Sequence, residues 1–396
     1  MRKKHTSATL LALVLIASAL ACVLTILIIS GRYRGEGQIS LASREYEELL
    51  RKIEKEYIGD YDTETIAAAA MRAAVIELGD RWSFYMTPQE YASFIDRSNN
   101  QYRGIGVGVS TDDTALGMRI LFVYKNSPAE ASGIVEGDIV TTVDGISVAG
   151  LEIDEIRDLL ARPINEVAVL DVLHADGMSS IISVAYNYIY VDPVAFELLD
   201  GGVGYIVIAN FDYGVGDSFI AAIDALLEQG AQGMIFDVRS NNGGRVVEMT
   251  KMLDYLLPEG DIFISVNKQG VEDITRSDSS MVKIPAVTIV DANSYSAAEY
   301  FSAMLREYDY AQVVGERTTG KNRMQQTFPL SNGGALHISI SQYLTKNRVS
   351  LYDAGGLAPD YEVVLSEEEY ARLVSGNLPH EDDPQLQAAI ELLLRL

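Results

Sequence analysis

Between Thr6 and Gly31 the chain carries no charged residue, and most of that run is Leu, Ala, Ile or Val. At about 26 residues it exceeds the roughly 20 that cross a bilayer as a helix. A single segment in lipid satisfies its backbone polar groups only as a helix, so little conformational choice is left. Arg2, Lys3, Lys4 and His5 precede the run, which places the N-terminus in the cytoplasm. Arg32 and Arg34 follow it and weaken the asymmetry. Apolar residues continue past Cys22 to Ile28, longer than a signal-peptide core. The reading is an uncleaved signal anchor through residues 6–31, single-pass in the cell membrane, with everything beyond it extracytoplasmic. The alternatives are a cleaved signal and a lipoprotein-like cut at Cys22, which would sever the span in its middle.

The remaining chain has the apolar content of a packed core. Of 396 residues, 56 are acidic and 31 basic, giving a net charge of −25. Nucleic acid is excluded as a partner, since phosphate binding needs clustered Lys and Arg. Cys22 is the one cysteine, so neither a disulfide framework nor a cysteine zinc site is available. Histidine is confined to His5, His174, His337 and His380. No metal and no cofactor is expected.

Residues 36–100 read as a helical segment. Tyr46, Leu49, Leu50, Ile53 and Tyr57 recur at helical spacing, and an Ala-rich run ends at Gly79. Thr87, Pro88 and Glu90 form a capping box with Pro at the first helical position. Residues 101–190 change to short strands, with hairpin signals at Asp144-Gly145 and Asp176-Gly177. From Val203 to Gly315 buried-length strands alternate with helices, which implies an α/β core with parallel strands over residues 191–365. Residues 366–396 read as a C-terminal helical segment.

Four segments, at strand-to-helix junctions, in a loop or at a strand start, carry candidate chemistry. Ser294–Glu299 (SYSAAE) follows the strand Ala286–Val290 and opens a helix. A serine there has backbone N–H groups aimed at an oxyanion, but it also suits a plain N-cap. None of the histidines is well placed as a base; His337 sits in the strand-like run 335–340 and reads as a packed strand residue. A lysine base is the alternative. Lys321 follows Thr318-Thr319-Gly320, and the competing reading is a surface loop lysine. A lysine base must lose about 3 pH units from its free pKa of about 10.4, roughly 4 kcal/mol, and burial can supply that. Lys321, Arg323 and Gln325 share one face if the segment is extended, so Gln325 can orient the lysine without charging it. Asp237–Gly244 (DVRSNNGG) is a glycine turn whose free N–H groups suit an oxyanion hole, or simply a tight turn. Gly104, Ile105, Gly106 and Val107 can form a nest for a peptide carboxylate, or an ordinary glycine-rich start to a strand.

In chain order these segments resemble the carboxy-terminal processing peptidases, Ser-Lys proteases of the S41 type with an embedded PDZ domain. Leu78–Tyr91, Tyr102–Val107, the highly specific PDZ signature Asn126–Ile139 with Val143-Asp144-Gly145, Asp237–Gly244, Ser294–Glu299 and Gly315–Lys321 all match. Gly355–Asp360 and Asp383–Ile390 resemble the closing segments. The resemblance implies a multidomain α/β protein: transmembrane helix, helical segment, PDZ-like β-rich domain and a ClpP/crotonase-like protease core. It implies Ser296 as nucleophile, Lys321 as base and Gln325 as its assistant. Gly243 or Gly244 with Ala297 would hold the oxyanion, and the PDZ domain would take protein substrates by apolar C-terminal tails. Family members often pair, so a homodimer is an open reading. The runner-up is a catalytically silent, membrane-tethered PDZ scaffold. Asn242 replaces a usual proline, Asn322 and Arg323 replace smaller residues, and the turn Ala161–Glu166 is short, leaving Arg162 as a candidate gating arginine.

Overall fold

The computed structural model describes residues 37, 39–111 and 116–396. The apolar run 6–31 lies outside them, and among the described residues no helix is long and apolar enough to cross a membrane. The chain divides into two compact units, Met1–Ala67 and Ala68–Leu396. In the first, helix α1 covers residues 39–56, where the Tyr46–Tyr57 stripe predicts it. Helix α2 is Thr63–Ile76.

Residues 36–100 are not all helical. Phe84–Met86 forms a short strand, β1, paired antiparallel with residues His337 to Ala335 of a distant strand. No periodicity marks three residues as a strand, and the pairing partner lies some 250 positions away in sequence. Helix α3 (Pro88–Ser98) then starts on the expected capping box, with Thr87 accepting from Glu90 N–H and Glu90 accepting from Thr87 N–H.

A two-stranded ribbon, β2 (Gln101–Gly104) with β9 (Asn187–Tyr190), brackets the β-rich domain. Inside it β3 (Val107–Thr111), β4 (Met118–Val123), β5 (Ile139–Val143), β7 (Val167–Leu173) and β8 (Ser179–Ala185) form one antiparallel sheet in that order, and β6 (Ile146–Ser147) pairs with β5. Helices α4 (Pro128–Ala131) and α5 (Ile153–Leu160) close its core around Ile120, Ile156 and Leu170. The Asp144-Gly145 turn has both residues at positive φ, as a two-residue hairpin requires.

The second sheet runs β10 (Val194–Leu199), β11 (Val203–Ile208), β12 (Gly233–Asp237), β15 (Ala286–Val290), β16 (Ala311–Gly315) and β19 (Tyr361–Glu362). All neighbours after the β10–β11 pair are parallel. Apolar residues of α6 (Val215–Glu228), α7 (Val246–Leu256) and α8 (Ala297–Glu307) fill one core with residues of the sheet. A separate core gathers Leu386, Ala389 and Leu393 of α10 (Pro384–Leu393) with Ile235, Val287 and Val314. Burial on both faces explains why β12 and β15 read as unbroken apolar runs. An antiparallel sheet of β1, β13 (Gly260–Asn267), β14 (Glu272–Ser277), β17 (Arg323–Pro329) and β18 (Ala335–Leu344) completes the core. Helix α9 (Glu367–Val374) precedes α10 on its own capping box.

Candidate active site

Strands β12, β15 and β16 are adjacent and parallel, so their C-terminal ends share one edge of the sheet. The loop after β12 carries Asn241–Gly244, the loop after β15 carries Ser296, and the loop after β16 carries Lys321. Ligands of open α/β sheets bind at that edge. Here a cleft of about 650 Å³ opens there, and Gly243, Gly244, Ser296, Ala297, Lys321 and Gln325 all line it.

The two serines after β15 divide their tasks. Ser294 is fully buried; its hydroxyl donates to Val238 O at 2.7 Å and accepts from Asp291 N–H at 3.0 Å. Ser296 occupies the N-cap position of α8, yet its side chain caps nothing. Its backbone sits at φ +60°, ψ −123°, a region that side chains other than glycine's rarely occupy. Holding it there costs about 1–3 kcal/mol. The strain turns the hydroxyl out of the helix and into the cleft, towards the Tyr343 side chain.

Lys321 is buried, and its pKa falls to about 8. Desolvation is the main cause and Arg81 adds to it, while Asp80 and Glu299 oppose. Its Nζ lies 4.5 Å from the centre of the Trp82 ring and 5.8 Å from that of Tyr295. Among the described residues no hydrogen bond or ion pair holds Nζ, so Ser296 and Lys321 share the cleft with no hydrogen bond between their side chains.

The neighbours of Lys321 differ from a straight extended segment. Strand β17 starts only at Arg323, so Lys321 lies outside it, and a bulge at Ile340 of β18 shifts the register between Met324 and Gln325 and sets Gln325 opposite Ser339. Gln325 Nε2 therefore donates to Ser339 Oγ at 2.9 Å and Arg323 O at 3.0 Å rather than to the lysine. Arg323 pairs with Asp80 at 3.3 Å, and the guanidinium that depresses the lysine is that of Arg81. His337 also lines the cleft, between Phe84 and Phe94. Burial and the Lys321 charge push its pKa down to about 4, so it stays neutral.

In the glycine turn, Asn241 Oδ1 accepts Gly243 N–H at 2.8 Å. Gly244 N–H and Ala297 N–H have no acceptor among the described residues. Gly243, at φ +86°, leaves no room for a side chain: a Cβ would meet Ser296 Cβ at 2.7 Å and Ala297 N at 2.8 Å. Asn242 is exposed at the rim.

Four residues of the site escape sequence reasoning. Glu299, fully buried, accepts Gly320 N–H at 2.7 Å, Lys321 N–H at 2.9 Å, Thr318 Oγ1–H and Ser296 N–H. Burial raises its pKa against the pull of those donors. Its place three residues after the N-cap is the signal that finds it, because N3 carboxylates reach back to the N-cap. Tyr343 donates to Lys321 O, and Trp82 and Arg81 arrive from the segment before β1. These three have no local sequence signal.

In the β-rich domain Ile105 and Gly106 separate β2 from β3, with Gly106 at φ +93°. Their carbonyls accept from Ala129 N–H and Tyr124 N–H, whereas their own N–H groups have no acceptor among the described residues. Gly104 pairs with Asn187 and Val107 with Val123. Beyond them β3 is an edge strand near α5. Arg162 is consumed at the end of α5, donating to Leu159 O, Leu160 O and Val167 O and pairing with Asp144.

Residues 202–363 match the model of peptidase family S41, and residues 119–173 match that of a PDZ domain. The chain belongs to peptidase family S41. The S41 peptidase is 28% identical over 330 residues to the carboxyl-terminal-processing protease of Synechocystis sp., covering 82% of this chain and 76% of that one. It is 27% identical over 367 residues to the carboxy-terminal processing protease CtpA of Bacillus subtilis, covering 91% and 78%. A solved S41 protease structure from Bacteroides fragilis shares its fold with a TM-score of 0.52 at 17% identity, over 86% of this chain and 92% of that one. The S41 peptidase is thus a serine peptidase of the carboxyl-terminal processing type.

Proposed function

We propose that this S41 peptidase is a membrane-anchored, extracytoplasmic endopeptidase that cuts proteins near their C-termini with a Ser296–Lys321 dyad. The observation that carries the reading is the division of roles in one cleft: a strained serine whose hydroxyl does not cap its helix, a buried lysine with a pKa near 8, and two N–H groups without acceptors among the described residues.

The chemistry follows from those parts. Ser296 Oγ attacks the peptide carbonyl while neutral Lys321 Nζ takes its proton. The oxyanion is held by Gly244 N–H and Ala297 N–H, the latter at the positive end of α8. Collapse breaks the C–N bond, and the Lys321 ammonium returns its proton to the leaving amine. Water, deprotonated by Lys321, then releases the acyl group. Nζ first swings off the Trp82 ring towards Ser296, and Gln325, released from Ser339, is positioned to steer it.

Tail capture fits the PDZ domain. An extended tail adds to the free edge of β3, and its carboxylate meets the Ile105 and Gly106 N–H groups, with apolar side chains against α5. The basic tip and apolar run 2–31 supply the anchor. The lack of a hydrogen bond between Ser296 and Lys321 among the described residues favours a second reading, a latent enzyme assembled when a tail binds.

The test uses the full chain in detergent with an unfolded protein substrate and mass spectrometry of the products. Cuts near the substrate's C-terminus that vanish in Ser296→Ala and Lys321→Ala support the reading. Cutting that survives both substitutions removes the dyad. Sedimentation of the same samples reports whether copies pair.

A further inference from the structure

The cleft contains a cation that the dyad mechanism leaves unused. Arg81 lines the cleft with its guanidinium carbon 4.1 Å from the Trp82 ring centre. Lys321 Nζ uses the same ring, and the Arg81 charge is felt at the lysine. The other cleft arginines are occupied: Arg323 pairs with Asp80, and Arg245 donates to Ser98 O and Asn99 Oδ1. Arg81 has no hydrogen-bond or ion-pair partner among the described residues. A guanidinium laid flat on an indole keeps its N–H edge free and its orientation fixed, which suits a planar carboxylate.

We propose that Arg81 reads the C-terminal carboxylate of a short leaving segment. The inference rests on the dyad reading of the cleft. The group that protonates the leaving amine faces the segment being released, so the Lys321 side of the cleft is the leaving-group side. Arg81 stands on that side. A leaving segment of two to four extended residues reaches about 7–14 Å, the scale of such a cleft. Arg81 then favours cuts a few residues from a chain end, a selection separate from tail capture by the PDZ domain.

Trp82 is the chain's one tryptophan, so its emission reports this cleft and not the PDZ groove. The experiment titrates the full-length Ser296→Ala chain with two eight-residue Ala/Val/Leu peptides that differ only in ending as acid or carboxamide. The acid is expected to change Trp82 emission with a Kd at least tenfold below that of the amide. In Ser296→Ala/Arg81→Met, which keeps an apolar stem on the indole, the two Kd values are expected to agree within twofold. Arg81→Lys in the same background restores part of the difference. Equal Kd values in the first chain, or a tenfold difference that survives Arg81→Met, overturn the proposal. Residual cleavage by the Ser296→Ala chain would instead count against the dyad.

Discussion

The buried Glu299 carboxylate accepts the backbone N–H of Lys321 at 2.9 Å and so fixes the base to the helix that carries the nucleophile. Glu299→Ala leaves the Gly320 and Lys321 N–H groups buried without acceptors, at about 1–3 kcal/mol each. The expected loss is about 3 kcal/mol of stability and at least about 100-fold in kcat/KM, because a misplacement of about 1 Å is costly in catalysis. Glu299→Gln keeps one acceptor oxygen and should lose less on both counts. Urea unfolding and peptide hydrolysis, run on both variants, check the ordering.

The buried lysine ties activity and stability to pH in the same direction. Desolvation lowers Lys321 to about 8, so the neutral base gains population as pH rises through 8, and kcat/KM should climb there. For stability, the unfolded lysine titrates near 10.5. Between about 8 and 10.5 the unfolded chain binds more protons, so stability rises with pH in that window. Below 8 the full penalty applies, roughly 3 kcal/mol at 1.36 kcal/mol per unit. Lys321→Met should therefore be about 3 kcal/mol more stable than wild type at pH 7, with the gain shrinking to under about 1 kcal/mol at pH 10. Urea midpoints at the two pH values decide it; a gain independent of pH would mean that packing, not charge, sets the difference.

The elements that were legible were those with local causes. The Thr87 cap, the hairpin at Asp144-Gly145 and the apolar runs of β12 and β15 follow from neighbours in sequence. Their adjacency is what brings Ser296, Lys321 and the glycine turn together, and parallel alternation already implies it. Trp82 and β1 were not legible, because β1 exists only through its pairing with β18. Gln325 was misjudged in orientation because Lys321 lies outside β17, so alternation does not carry over to it, and the register with β18 sets Gln325 opposite Ser339. The split between Ser294 and Ser296 depends on a carbonyl of Val238, 56 residues upstream, which no local pattern announces.

Strain at Ser296 gives a test free of any substrate. At φ +60° glycine is comfortable and alanine is not. Ser296→Gly and Ser296→Ala should both be inactive, yet the glycine variant should unfold about 1 kcal/mol or more harder than the alanine variant. Thermal melts of the two inactive chains provide the comparison. An alanine variant as stable as the glycine variant would mean that the backbone is relaxed at this position.

Asp80 supplies the opposite lever to Arg81. Its carboxylate accepts Ser83 Oγ–H at 2.6 Å and Trp82 N–H at 3.3 Å and pairs with Arg323. It also raises the Lys321 pKa, partly cancelling desolvation. Asp80→Asn keeps an acceptor oxygen for the Trp82 N–H, so the platform under the lysine stays in place, but removes the negative charge and leaves Arg323 unbalanced. Both changes favour neutral Lys321. The rise of kcat/KM with pH should shift to lower pH, increasing the rate at pH 7 by about two- to fivefold. Arg81→Met removes a positive charge from the same neighbourhood and should move the rise the other way. Rate–pH profiles of the two variants beside wild type measure both shifts. If Asp80→Asn left the profile where it is while Arg81→Met moved it, the field at Lys321 would come from the arginine alone.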